Sequence, residues 1–438
     1  MKDKLHRRII SAWAMYDWAN SAFATTIMAA ILPVYYSSVA GANLAGNKAT
    51  VYWGYTSSIA LFVVAIISPI LGAISDFRGA KKRYLTNFAL TGIFATALLF
   101  FIGRGDWLAA SIIFIFGEVG FSGANVFYDS LLPHIADPEE IDQVSAKGFA
   151  LGYLGGGILL AVNLAMIMLA PDESKELMTR LSLASVAVWW LVFTIPLWRH
   201  VPEPPRRVFT GESGFNPVQA GFHRLAKTLG EISKYRQLLK FLIAFWLYND
   251  GIGTIIKMAT IYGAEIGIGQ TDLIGTLLMV QFVGIPFSFA FGWLAKKLGT
   301  KRSIYLGLLV YTAISIGGYF MSTALHFWLL GFGVAMVQGG TQALTRSLFG
   351  RMVPKSKSAE FFGFFSVSAK FAGIAGPFVF ALVGQLVGHS RLSIVSLIVF
   401  FISGALILNT VDEEEGIRVA QAEEKALTTS INIPAQNL

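Results

Sequence analysis

Tyr84 to Gly103 reads YLTNFALTGIFATALLFFIG, a run without one charged side chain. About 20 apolar residues are what an α-helix needs to cross a hydrocarbon core of about 30 Å. Lipid offers no hydrogen-bond partners, so a segment this apolar must satisfy its backbone internally, as a helix. Working outward, the same pattern recurs on both sides. Spans are expected at 12–39, 50–75, 84–103, 107–132, 146–170, 181–198, 239–262, 271–295, 303–322, 327–350, 359–387 and 392–410. The fold class is therefore an all-α membrane protein with twelve transmembrane helices.

Composition agrees. Of 438 residues, 55% are hydrophobic and only 14% charged, where soluble domains carry about a quarter charged. The 44 glycines suit close helix contact, because small residues let backbones approach. There is no cysteine, which excludes disulfides, thiolate metal sites and cysteine catalysis. His6, His134, His200, His223, His326 and His389 are scattered without metal-ligand spacing. No His-Glu-x-x-His or Gly-x-Ser-x-Gly occurs, and Gly41 to Lys48 lacks the lysine placement of a phosphate loop. Neither an enzyme, a cofactor nor a metal is expected.

The net charge of +8 follows topology. With twelve spans and both ends on one side, the segments on the side of the termini hold 27 Lys and Arg residues and the opposite side holds 5. The remaining two, Lys257 and Lys370, lie inside spans. That bias places both termini in the cytoplasm of a multi-pass cell-membrane protein, and no nucleic-acid partner is expected. The first span is too long for a signal peptide, and Asp17 and Asn20 interrupt its apolar run.

A long basic loop divides the spans six and six. The expected units are an N-terminal six-helix bundle (1–199), a cytoplasmic linker (200–237), a C-terminal six-helix bundle (238–411) and a disordered tail (412–438), acidic then polar. The linker opens with Val201-Pro202-Glu203-Pro204-Pro205. Asn216-Pro217 then reads as an N-cap with proline at the first helical position. Val218, Phe222, Leu225, Leu229 and Ile232 follow at spacings of four and three, with Arg224, Lys227 and Lys234 on other faces. Such a helix either lies along the membrane surface or packs on the ends of the bundle.

The halves echo each other. Gly72-Ala-Ile-Ser-Asp76-Phe-Arg78-Gly79-Ala-Lys81-Lys82-Arg83 follows span 2, and Gly292-Trp-Leu-Ala-Lys296-Lys297-Leu-Gly299-Thr-Lys301-Arg302 follows span 8. In both, glycines seven apart precede a basic pair. Spans 4 and 10 are both expected to end at a proline, Pro133 and Pro354. Internal duplication of this kind is typical of transporters that rock one half against the other around a central site. The expected architecture is two pseudo-symmetric six-helix bundles.

This glycine–Asp–glycine–basic loop resembles the motif of the major facilitator superfamily, with Phe77 at the usual basic position and Lys296 in place of the second acid. Within it, the chain is similar to the autophagy-related vacuole effluxer family. The matching stretches are Tyr16-Asp17-Trp18-Ala19-Asn20-Ser21-Ala22-Phe23, Asn125-Val-Phe-Tyr128-Asp129-Ser-Leu-Leu-Pro133 and Gly152-Tyr153-Leu-Gly155-Gly156. Gly339-Gly340-Thr-Gln342-Ala-Leu-Thr-Arg346-Ser-Leu-Phe349 and Glu360-Phe361-Phe362-Gly363-Phe364 add to them. The resemblance implies the major facilitator fold, a transport role, and a central cavity lined by helices 1, 4, 7 and 10. Eukaryotic members of the family are linked to amino-acid efflux from vacuoles.

Charges within a span are costly and usually face a cavity or a partner. Glu118, Asn125 and Asp129 share one face of helix 4, and Asp250, Thr254 and Lys257 one face of helix 7. Gln338, Gln342 and Arg346 share a face of helix 10, and Ser366 and Lys370 lie one turn apart on helix 11. At about 1.5 Å per residue, Glu118, Asp250, Gln338 and Lys370 sit near mid-membrane. The expected solute and proton pathway is Asp17, Asn20, Glu118, Asn125, Asp129, Asp250, Lys257, Gln338, Gln342 and Lys370. Glu118, Asp250 and Lys370 form its centre, and Asp250→Asn is expected to abolish transport. A buried carboxylate beside a lysine can take up and release a proton as its surroundings change, and a zwitterion fits such a site.

The expected gating loop is Gly72, Asp76, Gly79, Lys81, Lys82 and Arg83 with its copy Gly292, Gly299, Lys301 and Arg302. Asp76 would cap helix 11, and the loop basics would pair with Asp137, Glu139, Glu140 and Asp142. The aromatics Tyr16, Trp18, Trp246 and Tyr248 either stack on a solute or pack between helices. The function expected is secondary active transport of a small polar solute, foremost an amino acid, by alternating access with proton coupling, in a monomer. The alternatives are a glycoside or other metabolite moved with a cation, and a non-transporting membrane sensor.

Overall fold

The computed structural model describes residues 2–45, 48–205, 215–373, 375–387 and 391–429. Among these residues the secondary structure is helical throughout. The first span begins as α1 (Lys2–Ala22) and loosens into wide π turns over Phe23–Ala30 and Tyr36–Ala40, on either side of the short α2 (Leu32–Tyr35). Pro33, which donates no backbone hydrogen bond, sits in that irregular stretch. Five helices complete the first half: α3 (Lys48–Arg78), α4 (Lys81–Leu98), α5 (Trp107–Ile135), α6 (Ile141–Met168) and α7 (Lys175–His200). α5 runs through Pro133 to end two residues later.

After the linker helix α8 (Pro217–Gly230) come α9 (Arg236–Glu265), α10 (Gln270–Leu298), α11 (Thr300–Tyr319) and α12 (Ala324–Arg351). The eleventh span is broken into α13 (Ser358–Phe371) and α14 (Ala375–Val387). The twelfth is α15 (Arg391–Ser396) with α16 (Ile398–Asn409), and α17 (Glu413–Thr429) follows. Among the described residues, 10 segments are long and apolar enough to cross a membrane. α11 and α12 occupy the ninth and tenth places as helices of 20 and 28 residues. They are more polar, because α11 opens on Lys301-Arg302 and α12 carries Gln338, Gln342 and Arg346.

Each half has its own apolar core. Trp13, Phe23 and Trp190 anchor the first, and Tyr248, Tyr311, Phe349 and Phe401 the second. Lipid is as apolar as leucine, so close packing holds such helices together rather than escape from water. A Cβ on Gly72 would lie 2.2 Å from the Ala359 carbonyl oxygen, and one on Gly363 would lie 2.6 Å from Pro69 Cα. Those two glycines let α3 and α13 meet backbone to backbone across the two halves.

The duplicated loops fold alike. Gly79 (φ +61°) and Gly299 (φ +89°) both turn the chain in the left-handed region that favours glycine. Lys82 Nζ donates to the Val201 carbonyl at 2.8 Å, and Lys301 Nζ to those of Asn409 (3.1 Å) and Val411 (2.6 Å). Each lysine thus closes off the orphan carbonyls at the end of the last span of its own half.

The linker helix forms where its caps predict. Asn216 accepts from the amides of Val218 and Gln219, and Gln219 returns a bond to the Asn216 amide. α8 packs on α3 through Ala220, Gly221, Arg224 and Thr228, with Gly221 against Ile74. Val218, Phe222 and Leu229 are exposed. The small and polar face thus serves the bundle, which is the packing reading of α8.

The tail differs from expectation. Instead of disorder from 412, α17 runs to Thr429; residues 430–438 lie outside the described ones. Its acids find fixed partners. Glu413 pairs with Arg351 at 3.0 Å, Glu423 with Lys357 at 3.0 Å, and Glu424 accepts from the Ser356 amide and hydroxyl at 2.9 and 2.8 Å. A composition too polar to make its own core is ordered here by docking onto basic loop residues.

Candidate functional site

The two halves enclose a cavity of about 370 Å³. Met28, Trp53, Ser57, Phe114 and Glu118 line it from the first half. Asn249, Lys257, Gln342, Lys370 and Gly373 line it from the second. Lys370 Nζ reaches Glu118 Oε1 at 3.3 Å, joining α13 to α5 across the interface. Ser122, one turn from Glu118, donates to the same oxygen at 2.7 Å. Glu118 Oε2 is buried and has no hydrogen-bond partner among the described residues. A second, smaller cavity of about 200 Å³ is lined by Asp17, Ser21, Tyr153, Gln281, Gln338 and Gln342. Gln342 borders both cavities.

Asp250 does not join Glu118 and Lys370, so the expected three-member centre is corrected to a pair. Its Oδ1 accepts from the Gly376 amide at 2.8 Å, at the start of α14. The break in the eleventh span frees amides that a sequence pattern does not reveal, and a carboxylate at a helix N-terminus satisfies them. Asp250 is 1% exposed and does not line the cavity. A Cβ on Gly376 would fall 2.0 Å from Thr254 Oγ1, so this junction is tightly packed.

Toward the face that carries the termini, Arg346 of α12 is the hub of a second polar layer. Its guanidinium reaches Asp129 Oδ1 at 3.0 Å and Asp17 Oδ2 at 3.3 Å. It also donates to the Ser145 hydroxyl and carbonyl, each at 2.9 Å. Tyr128 donates to Asp17 Oδ2 at 2.8 Å. The rings of Trp13, Tyr128 and Phe149 surround the guanidinium with centroids at 5.0, 5.5 and 4.5 Å, a range in which the ring quadrupole favours a cation. Every partner of Arg346 belongs to the first half, so this cluster ties the two halves together. In the sequence Arg346 shares the Gln338–Gln342 face, and no spacing there marks it as a hub. The signal available was an intramembrane arginine eight residues from Gln338.

Asn20 and Asn125 bond each other at 2.6 Å, helix to helix, and Asn20 is buried. The four aromatics weighed for solute stacking pack instead. Tyr16 lies on Tyr128, Trp18 stacks on Trp189, Tyr248 bonds Thr345, and Trp246 is partly exposed away from the cavity.

In the first loop, Asp76 caps α13: its oxygens accept from the amides of Ala359 (3.3 Å) and Glu360 (2.8 Å), and Lys81 pairs with it. The expected pairing of the loop basics with the 133–147 acids is corrected. Glu203 lies over the start of α4 and accepts from the amides of Lys82 and Arg83, which draws this segment to the linker. Asp142 instead accepts from Thr300 and Ser347 and lies 3.5 Å from Arg351, while Glu140 meets His6. In the second loop Lys296 stands where an acid would be, and Gly292 packs α10 against Ala146 of α6, where a Cβ would lie 2.9 Å away. Arg302 begins α11. His6, Asp137 and Glu140 also cluster closely enough to share an ion, which their spread in sequence hides; the His6–Glu140 hydrogen bond accounts for their meeting.

Residues 5–421 match the family model described as "Vacuole effluxer Atg22 like". The chain is 40% identical to the Uncharacterized MFS-type transporter YxiO of Bacillus subtilis (strain 168), over 94% of this chain and 97% of that protein. It is 23% identical to Autophagy-related protein 22 of Saccharomyces cerevisiae (strain YJM789), over 86% of this chain and 82% of that protein. Among solved structures it resembles the proton:xylose symporter XylE bound to 6-bromo-6-deoxy-D-glucose, with a TM-score of 0.73 at 16% identity, covering 97% of this chain and 100% of that one. It also resembles FucP in the outward conformation, with a TM-score of 0.67 at 11% identity over 93% and 98% of the two chains.

Proposed function

The chain belongs to the vacuole effluxer Atg22-like family of major facilitator transporters, and from that premise we propose that it moves a small polar solute, foremost an amino acid, by proton-coupled alternating access. The observation that carries the reading is the pair Glu118–Lys370, which faces a cavity between the halves and bridges them at 3.3 Å. A proton on Glu118 would cancel the attraction that holds Lys370, and so loosen one of the ties across the interface. Another tie, Arg346 to Asp17 and Asp129, holds the terminal face together with the Asp76 cap on α13 and the Asp142 contacts to Thr300 and Ser347. Opening that face requires the guanidinium to leave both carboxylates. The bias of 27 basic residues to 5 supports a cytoplasmic placement of that face.

The test is flux in vesicles reconstituted with purified protein, using labelled amino acids with and without an imposed pH gradient. Gradient-driven accumulation in the wild type, reduced to exchange only in Glu118→Gln, is the expected result. Absence of flux for every amino acid, or accumulation that ignores the gradient and the substitution alike, overturns the reading.

A further inference from the structure

The cavity wall carries two ammonium groups and one carboxylate, and they are not equivalent. Lys370 is engaged with Glu118, whose accepting oxygen also holds Ser122. Glu118 is 1% exposed and has little surface left to offer a cargo amine. Lys257, on α9, also lines the cavity, and its side chain is exposed there. Among the described residues it makes no hydrogen bond and no ion pair, and Asp250, seven residues earlier, is turned to Gly376. Lys257 Nζ lies 2.7 Å from where a Cβ on Gly373 would stand. The missing side chain at Gly373 therefore keeps open the space around the ammonium. Asn249, Gln342 and Ser57 complete the polar lining with neutral groups.

Resting on the transport reading above, we propose that Lys257 is the anchor for a carboxylate of the cargo, and that the cavity selects for this carboxylate and makes no demand for an amino group. An ammonium without a hydrogen bond or contact ion pair in a partly dehydrated site, its neighbouring carboxylate Asp250 being turned to Gly376, gains most from an anion that brings its own charge. A ligand amine finds no exposed carboxylate among the described residues of the cavity to answer its charge, since Glu118 Oε1 is engaged by Lys370 and Oε2 is buried; only neutral acceptors remain. Carboxylates with and without an α-amine are thus bound alike, and amines lacking the carboxylate are not.

The experiment measures binding to the purified full chain through tryptophan fluorescence, since Trp53 lines the cavity. The probes are L-alanine, L-lactate and L-alaninamide. Alanine and lactate are expected to bind within about threefold of each other, with alaninamide at least tenfold weaker. Lys257→Gln should lose at least tenfold for both carboxylates, while Lys257→Arg retains most of the affinity. Alaninamide binding as tightly as alanine, an unchanged affinity in Lys257→Gln, or binding of none of the three probes overturns the assignment. Alanine flux in vesicles, measured in parallel, separates the two claims. Flux with a binding profile indifferent to Lys257 removes the anchor and leaves the transporter, and absence of amino-acid flux removes the transport reading itself.

Discussion

The guanidinium of Arg346 and the carboxylate of Asp129 meet at 3.0 Å from opposite halves of the protein, and Asp17 adds a second carboxylate to the same guanidinium. Removing one partner from a buried ion cluster costs about 3–5 kcal/mol, because the others are left uncompensated. Arg346→Gln is expected to lose about that much stability, measured by thermal unfolding in detergent. Arg346→Lys should recover little, since one ammonium cannot reproduce the fork that also serves the Ser145 carbonyl. An unfolding temperature equal to wild type in Arg346→Gln would show that the cluster does not hold the halves.

Gly72 sets how closely α3 approaches α13. Its absent Cβ would stand 2.2 Å from a backbone oxygen, whereas a Cβ on Gly54 of the same helix would meet nothing within 4 Å. Gly72→Val should force the terminal face apart, and Gly54→Ala should change nothing. The chain has no cysteine, so a single Ser358→Cys reports directly: Ser358 is buried and bonds the Ser130 carbonyl at 2.9 Å. Maleimide should label that cysteine in the Gly72→Val background and leave it unlabelled with Gly54→Ala. Equal labelling of both would count against the seam.

Asp250 acts as a cap on α14, so asparagine, whose carbonyl accepts the same amide, is expected to leave folding and transport close to wild type. Asp250→Ala should cost about 0.5–2 kcal/mol, the usual loss of an N-cap. Gly376→Ala should be worse than either, with Thr254 Oγ1 only 2.0 Å from the new carbon. Loss of flux in a well-folded Asp250→Asn would return Asp250 to the solute pathway.

Glu413, on α17 outside the membrane, has its carboxyl raised by burial; Arg351 pulls it down and Asp142 pushes it up. A raised value in the folded state means that its contribution to stability is full below the unfolded value and is lost as pH rises through the folded one. The unfolding temperature of Glu413→Gln should therefore gain on wild type between acid and neutral pH. A gap that stays constant, or closes in the other direction, would contradict this.

Much of the fold was legible from segment length, because lipid leaves a run such as Tyr84–Gly103 one way to satisfy its backbone. Depth along the helices put Glu118 and Lys370 in the same layer, and the structure brings them together although 252 residues separate them. Partner choice was less legible. Lys81, Lys82 and Arg83 turned to Asp76 and the 201–203 segment, because those groups fold beside them while the 137–142 acids face other elements. Asp250 was misplaced because its partner amide exists only where the eleventh span breaks. The role of Arg346 depends on the rotation of three helices at once, which no spacing encodes. The order of α17 depends on Arg351 and Lys357, basic residues far from it in sequence.

The interrupted eleventh span has a mechanical consequence. On one side of the turn at Ala372 and Gly373, α13 meets α3 of the opposite half through Gly72 and Gly363; on the other, α14 is fastened to α9 of its own half through Asp250. One covalent strand thus runs from a contact across the halves to a contact within one half, with a turn between them. Were one half to swing against the other, this turn, beside Lys257 and Lys370, would take up the strain, and displacement of the walls would reshape the pocket in the same movement.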